Sequence, residues 1–440
     1  MVQDRSTVTA IVHRGAAPIA APHRFYNLIL LALAVWAGGY ARVALGPLQE
    51  TMRTALQLTD NQIAILQGPA LGLSIMFGAL PVGLLVDRYC RVRLILVFVA
   101  LDLIGSVVTA LANDFAVLVA ARCVVGLSAI ASLIAAFSLI SDLYAPEQRG
   151  RATMVVAGGF ELSSPVAFAL GGVLLASYVG ADAWRHAMLW MTVPPIVFVI
   201  LLSLGMKEPP RTGLVAERPP VRAAFAELWR YRRLVLPLLA ARVMVGVADG
   251  ATLIWTAPFL ARQFNLPPQQ VGAIMATVLL IAGIAAPILG GLLADVSYRS
   301  GGPRRTMLVL SGVALLSLPA SLFTLAPNVT IASVLLGVFI TLGFMTNIAG
   351  ATVSTIVIPN EVRGTYLSIS MMVGAFFGVA LAPLLVSALS SALGGVHMIG
   401  QALAWVCVVS SLTGAATFAF GHRYFPRADT KTPVREPLHE

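Results

Sequence analysis

The sequence predicts an all-α integral membrane protein with twelve transmembrane helices in two pseudo-symmetric six-helix bundles. Three observations lead to this fold class. Of the 440 residues, 58% are hydrophobic and only 11% are charged, whereas soluble domains carry about 25% charged residues. Twelve apolar runs are long enough to cross a bilayer, which takes about 20 residues. Two short motifs of the first half recur in the second half at nearly one offset.

Each apolar run is predicted to be a helix, because a backbone in lipid must satisfy its own hydrogen bonds. The runs are far too long for barrel strands. The residues before Phe25 are polar and basic and lack a small-residue cleavage site, so the first run is interpreted as a span and not as a cleaved signal. The predicted spans cover residues 25–46, 61–86, 92–112, 115–141, 152–177, 185–205, 234–260, 271–294, 305–326, 329–354, 363–391 and 395–421.

The basic residues predict the orientation of the chain. With the N-terminus inside, 23 of the 29 Lys and Arg residues lie on the inner side, and only Arg53, Arg185 and Arg262 lie outside. Short cytoplasmic loops carry such an excess. We therefore expect a multi-pass protein of the cell inner (plasma) membrane with both termini cytoplasmic. The same excess explains the net charge of +10, so the lipid bilayer and not nucleic acid is the expected partner.

The longest polar segment divides the spans into six and six. The predicted organisation is a cytoplasmic N-terminal tail, an N-terminal bundle, a cytoplasmic linker, a C-terminal bundle and a cytoplasmic C-terminal tail, at residues 1–24, 25–205, 206–233, 234–421 and 422–440. Part of the linker is predicted to form a short amphipathic helix.

The two halves repeat each other. GLLVDRYCRVR at Gly83 recurs as GLLADVSYRSGGPRR at Gly291, and PEQRGR at Pro146 recurs as PNEVRG at Pro359. Parallel repeats of six helices are typical of transporters whose substrate site lies between the halves.

A charged turn joins the second and third spans. Asp87, Arg88, Arg91 and Arg93 fall within seven residues. A carboxylate such as Asp87 can complement the dipole at the start of another helix. The turn is interpreted as a gating latch; the alternative is a set of charges that face water and only anchor the topology.

Six charged residues lie inside the predicted spans and more than two residues from their ends, although each costs about 2.5–3.5 kcal/mol to insert. Such residues are functional by default; the alternative for Arg122 and Arg242 is a position near the headgroups. The six are Arg42, Asp102, Arg122, Glu161, Arg242 and Asp249.

No cofactor, metal site or enzymatic activity is predicted. The three cysteines have no paired spacing, and the six histidines are scattered and mostly near the termini or membrane surfaces. A phosphate-binding loop of the Walker type is also missing. A monomer suffices for this fold.

The turn pattern G-x-x-x-D-R-x-x-R-x-R at Gly83 is similar to the loop between helices 2 and 3 of the major facilitator superfamily. The resemblance extends over all twelve spans. Three further places resemble the spinster-like and organic-anion transporter branches of that superfamily: YARVALGPLQ at Tyr40 with LTDNQIAILQG at Leu58, ARCVVGLSA at Ala121, and LYAPEQRGRA at Leu143.

The resemblance implies how the latch works. Asp87 would dock on the start of helix 11, near residues 361–365, and Arg88 would pair with Asp142 when the bundles close on the inside. Gly83 and Arg91 belong to the same motif. In the second copy, at Asp295, the following Arg is replaced, so that latch is expected to be weaker.

Those branches carry an Asp before the Arg of helix 1 and a Glu seven residues after the Arg of helix 4. Here the two places hold Ala41 and Ala129. Either the proton-coupling carboxylate has moved, with Glu161, Asp249 and Asp102 as candidates, or coupling is absent. Asp249 lies 208 residues after Ala41, the offset of the latch repeat.

The expected function is secondary active transport of a small or amphipathic organic anion, or of a lysolipid-like substrate, by alternating access. Arg42 and Arg122 are expected to bind the anion, and aromatic residues to line the cavity: Tyr40, Trp36 and Trp255. Core or lipid-facing packing is the alternative for each aromatic. Alternatives for the function are an uncoupled facilitator or exchanger, and a non-transporting receptor, which the preserved latch disfavours.

Overall fold

The structure, a computed structural model, describes residues 21–206, 208–209 and 221–425. Its residues there are helical or lie in short connections, with no β-strand among them. The α-helices are Ala21–Val43, Gln49–Ala55, Asp60–Gln67, Pro69–Arg88, Arg91–Leu111, Phe115–Leu143, Pro146–Ser177, Ala183–Trp190, Val193–Gly205, Val221–Arg230, Arg232–Gln263, Pro268–Ser321, Val329–Val357, Asn360–Gly374, Ala382–Ala392 and Ile399–Gly421.

Eleven helical stretches of the described residues are long and apolar enough to cross a membrane. The longest, Pro268–Leu325, has 58 residues and holds two spans, because Gly301 and Gly302 leave helical geometry. Gly302 has φ +67°, which favours glycine. Twelve spans result, numbered here span 1 to span 12 in chain order, and the predicted fold class is confirmed.

Three spans are interrupted, which the sequence analysis did not predict. Span 2 has a break at Gly68, and span 6 has one between Trp190 and Val193. Span 11 contains a π-helical stretch, Ala375–Leu381. Such stretches occur frequently at functional sites, because they re-aim the side chains around them.

The turns that lead into spans 2 and 8 show the internal repeat in the backbone. Gln57 has φ +53° and Asn265 has φ +52°, and these are the non-glycine residues with positive φ in the described chain. They lie 208 residues apart, the same offset as Gly83 and Gly291. The repeated sequence therefore folds into a repeated local geometry.

The two bundles meet closely at the end of the molecule opposite Ala21 and Phe425, called here the far end. A Cβ atom on Gly172 of span 5 would lie 3.0 Å from the Cα of Gly272 in span 8. Another on Gly72 of span 2 would lie 2.5 Å from the backbone nitrogen of Ala380 in span 11. Small residues let helix backbones approach in this way.

The sequence-predicted linker is only partly described. Residues 207 and 210–220, with the tails 1–20 and 426–440, lie outside the described residues. The described part contains the helix Val221–Arg230, where a short amphipathic helix was expected.

Candidate functional site

Four charged side chains form a cluster where the two bundles face each other, called here the central charge cluster. Glu161 of span 5 interacts electrostatically with Arg42 of span 1 and with Arg242 of span 7. Asp249 of span 7 interacts with Arg242 and, more weakly, with Glu161. Spans 1 and 5 belong to the first bundle and span 7 to the second, so the cluster crosses their interface.

Glu161 faces the space between the bundles. It lies at the middle of Pro146–Ser177, and its side chain is exposed. An exposed side chain at that depth faces either lipid or the space between the bundles, and the interactions of Glu161 with Arg42 and Arg242 indicate the space between the bundles. A charged group at that depth is tolerated where a polar cavity surrounds it.

The surroundings of Arg42 combine one positive charge with apolar and aromatic surface. The Arg42 guanidinium carbon lies 5.2 Å from the centre of the Phe160 ring, a cation–π contact. Arg42 also lines a cavity at the bundle interface. Its other walls come from both bundles: Val43, Gly46, Gln67, Leu71, Gly250, Leu253, Ile254, Gly378 and Val379.

The second bundle holds Asp249 and Arg242 against glycines of neighbouring spans. A Cβ atom on Gly343 of span 10 would lie 2.8 Å from Asp249 Oδ1. Another on Gly374 of span 11 would lie 3.5 Å from an Arg242 nitrogen. Asp249 also interacts with the Asn347 side chain of span 10. The glycines leave room for both charged groups inside the bundle.

Arg122 has a different environment from the one expected. Its guanidinium is fully buried and donates to the carbonyl oxygens of Ala41 at 3.3 Å and Arg42 at 2.6 Å. These carbonyls belong to the last turn of span 1, where helical carbonyls lack partners in their own helix. Arg122 therefore holds the end of span 1, and its expected contact with an anion stays a prediction.

The predicted aromatic residues are divided between two places. Trp36 is half-buried and stacks on the buried Tyr40, with ring centres 4.7 Å apart. Trp255 is fully buried and donates from Nε1 to the carbonyl oxygen of Pro383 at 3.0 Å. It joins spans 7 and 11 inside the second bundle, so the expectation that it lines the cavity is not met.

At the end of the molecule that holds Ala21 and Phe425, Asp142 pairs with Arg91. The pair of Asp142 with Arg88 was expected when the bundles close at this end, and it stays a prediction. Arg88 ends span 2 and is exposed. Arg91 opens span 3 with a buried side chain that also donates to Glu208 at 2.9 Å. The turn of chain between the two residues directs Arg91, and not Arg88, toward span 4.

Glu208 follows span 6 and caps the start of span 3. Its carboxylate accepts hydrogen bonds from the Val92 backbone at 2.8 Å and from the Cys90 thiol at 3.2 Å. Burial alone would raise the pKa of Glu208, but these bonds and the one from Arg91 outweigh it and lower the pKa. The described contacts of Arg91 thus stay within the first bundle and the start of the linker.

The rest of the predicted latch is only partly visible. Asp87 and Gly83 are half-buried, a Cβ on Gly83 would meet nothing within 4 Å, and Asp295 is exposed. The expected docking of Asp87 near residues 361–365 involves side chains at 360–361 that lie outside the described residues. The latch remains a prediction.

A second set of ion pairs, which the sequence analysis missed, joins the bundles at the far end. Arg262, at the end of span 7, donates to Glu50 at 2.8 and 3.1 Å and to Asp60 at 2.8 and 2.9 Å. Arg53 also pairs with Glu50, at 2.8 Å. These residues are called here the far-end ion pairs. In the sequence, Arg53 and Arg262 indicated only the orientation of the chain.

Further polar contacts strengthen the far end. Gln49 donates to the carbonyl oxygen of Ile254 at 2.7 Å, and Ser387 donates to Asn61 at 2.6 Å. Burial alone would raise the pKa of Glu50, but the hydrogen bonds and charges of Arg262 and Arg53 lower it. The far end is therefore closed around ionised partners, and the central charge cluster lies behind it.

One protein-family model matches this chain twice. The model of the Major Facilitator Superfamily matches residues 31–257 and, again, residues 238–440. The chain belongs to the major facilitator superfamily. The resemblance found in the sequence motifs is thereby confirmed, and the double match agrees with the internal repeat.

Individual relatives of this superfamily member are transporters. The 3-(3-hydroxy-phenyl)propionate transporter of Escherichia coli is 31% identical over 225 residues, which cover 50% of this chain and 53% of that protein. This chain thus spans about half the length of that relative. The probable 4-methylmuconolactone transporter of Cupriavidus pinatubonensis is 25% identical, with 73% of each chain covered. The family indicates transport and not enzymatic catalysis.

Solved structures share the fold. An inward-facing bacterial homolog of the human lysosomal transporter Spinster superposes with a TM-score of 0.75 at 21% identity, covering 92% of this chain and 97% of that one. A D-xylose–proton symporter superposes with a TM-score of 0.68 at 14% identity, covering 89% and 97%. At such identities the likeness concerns the fold alone.

Proposed function

We propose that this protein is a secondary transporter that moves a small organic anion, most simply an aromatic monocarboxylate, by alternating access. The observation that carries the proposal is Glu161, held between Arg42 of its own bundle and Arg242 of the other bundle. Because Glu161 interacts with arginines of both bundles, the strength of these interactions depends on the distance between the bundles. A substrate carboxylate that competes for the same two arginines can therefore change the balance between the two conformations.

The chemistry of the site supports a carboxylate. Arginine presents a planar set of donors that matches a carboxylate, and Arg42 and Arg242 approach the interface from opposite sides. Phe160 and the apolar cavity wall offer surface for a ring. Relatives named for 3-(3-hydroxy-phenyl)propionate and for 4-hydroxybenzoate, the latter from Pseudomonas aeruginosa, suggest the same class.

The arrangement of the bundles supports alternating access. The described contacts between bundles concentrate at the far end, in the glycine contacts and the far-end ion pairs. With the termini in the cytoplasm, as the basic residues indicate, this conformation is closed to the outside. The expected location is the cell inner membrane.

The test is substrate counterflow in proteoliposomes, which requires transport but no driving gradient. Proteoliposomes that contain the purified protein are loaded with an unlabelled aromatic carboxylate and diluted into buffer with the labelled compound. Lysolipids and neutral phenols are tested in the same way for comparison. We expect counterflow of the carboxylates, reduced at least about 10-fold by Arg42→Gln and by Arg242→Gln, because each removes a charged hydrogen-bonding partner. The matched control is Arg230→Gln, an exposed arginine outside the spans.

Two results would contradict the proposal. Counterflow of neutral phenols or lysolipids, but not of carboxylates, would remove the anion from the substrate class. Normal counterflow in both arginine variants would separate the central charge cluster from substrate binding, even if the protein transports.

A further inference from the structure

One buried carboxylate of the first bundle, that of Asp102, does not belong to the central charge cluster. Asp102 of span 3 is 1% exposed, and within the described residues neither of its carboxylate oxygens has a hydrogen-bond partner. The hydroxyl of Tyr40, also 1% exposed, is in the same situation. Both residues line one small cavity inside the bundle, together with Ser106 and Thr192. An ionised carboxylate is costly in such a place, and binding a proton removes the cost.

Asp102 lies at the place where the sequence analysis found carboxylates missing. A Cβ atom on Gly38 of span 1 would lie 3.4 Å from Asp102 Oδ2 and 3.1 Å from the Cα of Ala129 in span 4. Ala41 lines the same cavity as Asp102. The acid absent from positions 41 and 129 is thus supplied from a third helix, close to both.

Groups from spans 1, 4 and 6 face Asp102. Span 1 contributes Tyr40, and span 4 contributes Arg122, with Cys123 interacting with that arginine. The part of span 6 that lines the cavity contributes uncharged side chains: Met188, Met191, Thr192 and Pro195. In the described chain, the cation that Asp102 faces is therefore Arg122.

Arg122 connects Asp102 to the substrate site. The same guanidinium that interacts with Asp102 donates to the carbonyl oxygens of Ala41 and Arg42 at the end of span 1. A proton on Asp102 removes the negative charge that faces Arg122. The position of Arg122, and with it the turn that carries Arg42, then depends on whether Asp102 is protonated.

We propose that Asp102 is the proton-binding residue of this transporter and that it acts on the substrate site through Arg122 and the end of span 1. The inference rests on the proposed function and deepens it. One proton binds to the Asp102 carboxylate on the side where a monocarboxylate enters, and the same proton leaves on the side where the substrate is released. The pair crosses without net charge.

The experiment compares two assays on Asp102→Asn in proteoliposomes. The first is counterflow of an aromatic carboxylate; the second is accumulation of the same compound driven by an imposed pH gradient. We expect Asp102→Asn to keep counterflow within about threefold and to lose gradient-driven accumulation at least about 10-fold. Its counterflow KM should also lose the pH dependence that the wild type shows between about pH 5 and 8. The matched control is Asp182→Asn, an exposed acid of the same bundle.

Several outcomes would overturn the inference. Gradient-driven accumulation in Asp102→Asn at the wild-type level would do so, as would its loss in Glu161→Gln or Asp249→Asn while Asp102→Asn accumulates normally. If Asp102→Asn does not yield folded protein, Asp102→Glu decides: a shifted pH profile supports the inference and an unchanged one contradicts it. If the wild type shows no counterflow of any carboxylate, the proposed function itself has failed.

Discussion

The far-end ion pairs give the sharpest prediction about conformation. Arg262 donates four hydrogen bonds, of 2.8–3.1 Å, to Glu50 and Asp60 of the other bundle. Its side chain is 17% exposed, and those of the two acids are 27% and 9% exposed. In Arg262→Gln these charge-assisted bonds are lost, while Arg53 continues to neutralise Glu50.

The magnitude follows from the geometry. Hydrogen bonds to charged groups contribute about 1.5–3 kcal/mol each, but solvent screening at this partly exposed site and the remaining Arg53 reduce the sum. We expect a net loss of about 2 kcal/mol for the far-end-closed conformation. Since 1.4 kcal/mol corresponds to a factor of ten, the equilibrium should shift about 30-fold toward far-end opening.

The assay is a distance distribution across the far end, measured by electron spin resonance or single-molecule fluorescence. Labels at Val179→Cys and Val396→Cys are suitable, because both residues are exposed, one in each bundle. Arg185→Gln is the matched control: Arg185 lies at the same end, but its contacts, with Asp182 among them, stay within the first bundle. A distribution in Arg262→Gln equal to that of the control would refute the reasoning.

Three further predictions concern packing and pH. Gly272→Ala should lower the counterflow rate about 10-fold or more, because the added Cβ would lie 2.5 Å from a backbone oxygen of span 5. Gly158→Ala is the control and should show a normal counterflow rate, because its Cβ would meet nothing within 4 Å. Gly343→Ala should reduce the counterflow rate strongly and the melting temperature only slightly, because the added Cβ would lie 2.8 Å from Asp249 Oδ1 and displace that carboxylate. Counterflow and thermal unfolding of the same variant test this. The pKa of Glu50 is lowered when the far end is closed. Ionised Glu50 therefore stabilises the closed conformation above the ordinary pKa of a glutamate, about 4.3, and this stabilisation disappears as the pH falls through the lowered value. The distance distributions of wild type and Glu50→Gln should differ by a constant amount from about pH 5 to 8.

The spans and the repeat could be predicted because apolar length and motif offset are local properties of the sequence. The break at Gly301 and Gly302 lies within the predicted loop between spans 8 and 9. Span interruptions such as the π-helical stretch Ala375–Leu381 could not be predicted, since they depend on how span 11 packs against spans 2 and 7.

Partners around a helix were harder to predict than positions along it. The sequence placed Arg88 and Arg91 in the turn between spans 2 and 3, but the pairing of Asp142 with Arg91 depends on the direction in which the turn presents each side chain. Arg122 was expected to meet substrate because it is charged and intramembrane; that it holds the end of span 1 depends on the approach of two helices.

The far-end ion pairs show what sequence reasoning omitted. Of these residues, Arg262 indicated only sidedness, Asp60 belonged to the motif LTDNQIAILQG at Leu58, and Glu50 was given no role. Acids after span 1 and an arginine after span 7 occupy the same end of the two bundles, so their meeting could have been expected from the predicted topology alone.

The central claim is coupled transport of a carboxylate and a proton through the interface between the bundles. Its most direct test is simultaneous measurement of labelled carboxylate uptake and of internal pH, with a pH-sensitive dye sealed in wild-type proteoliposomes. The account predicts internal acidification that accompanies uptake, saturates with it and corresponds to one proton for each carboxylate. Saturable uptake without a change in internal pH would contradict the account and leave a facilitator or exchanger built around Arg42 and Arg242.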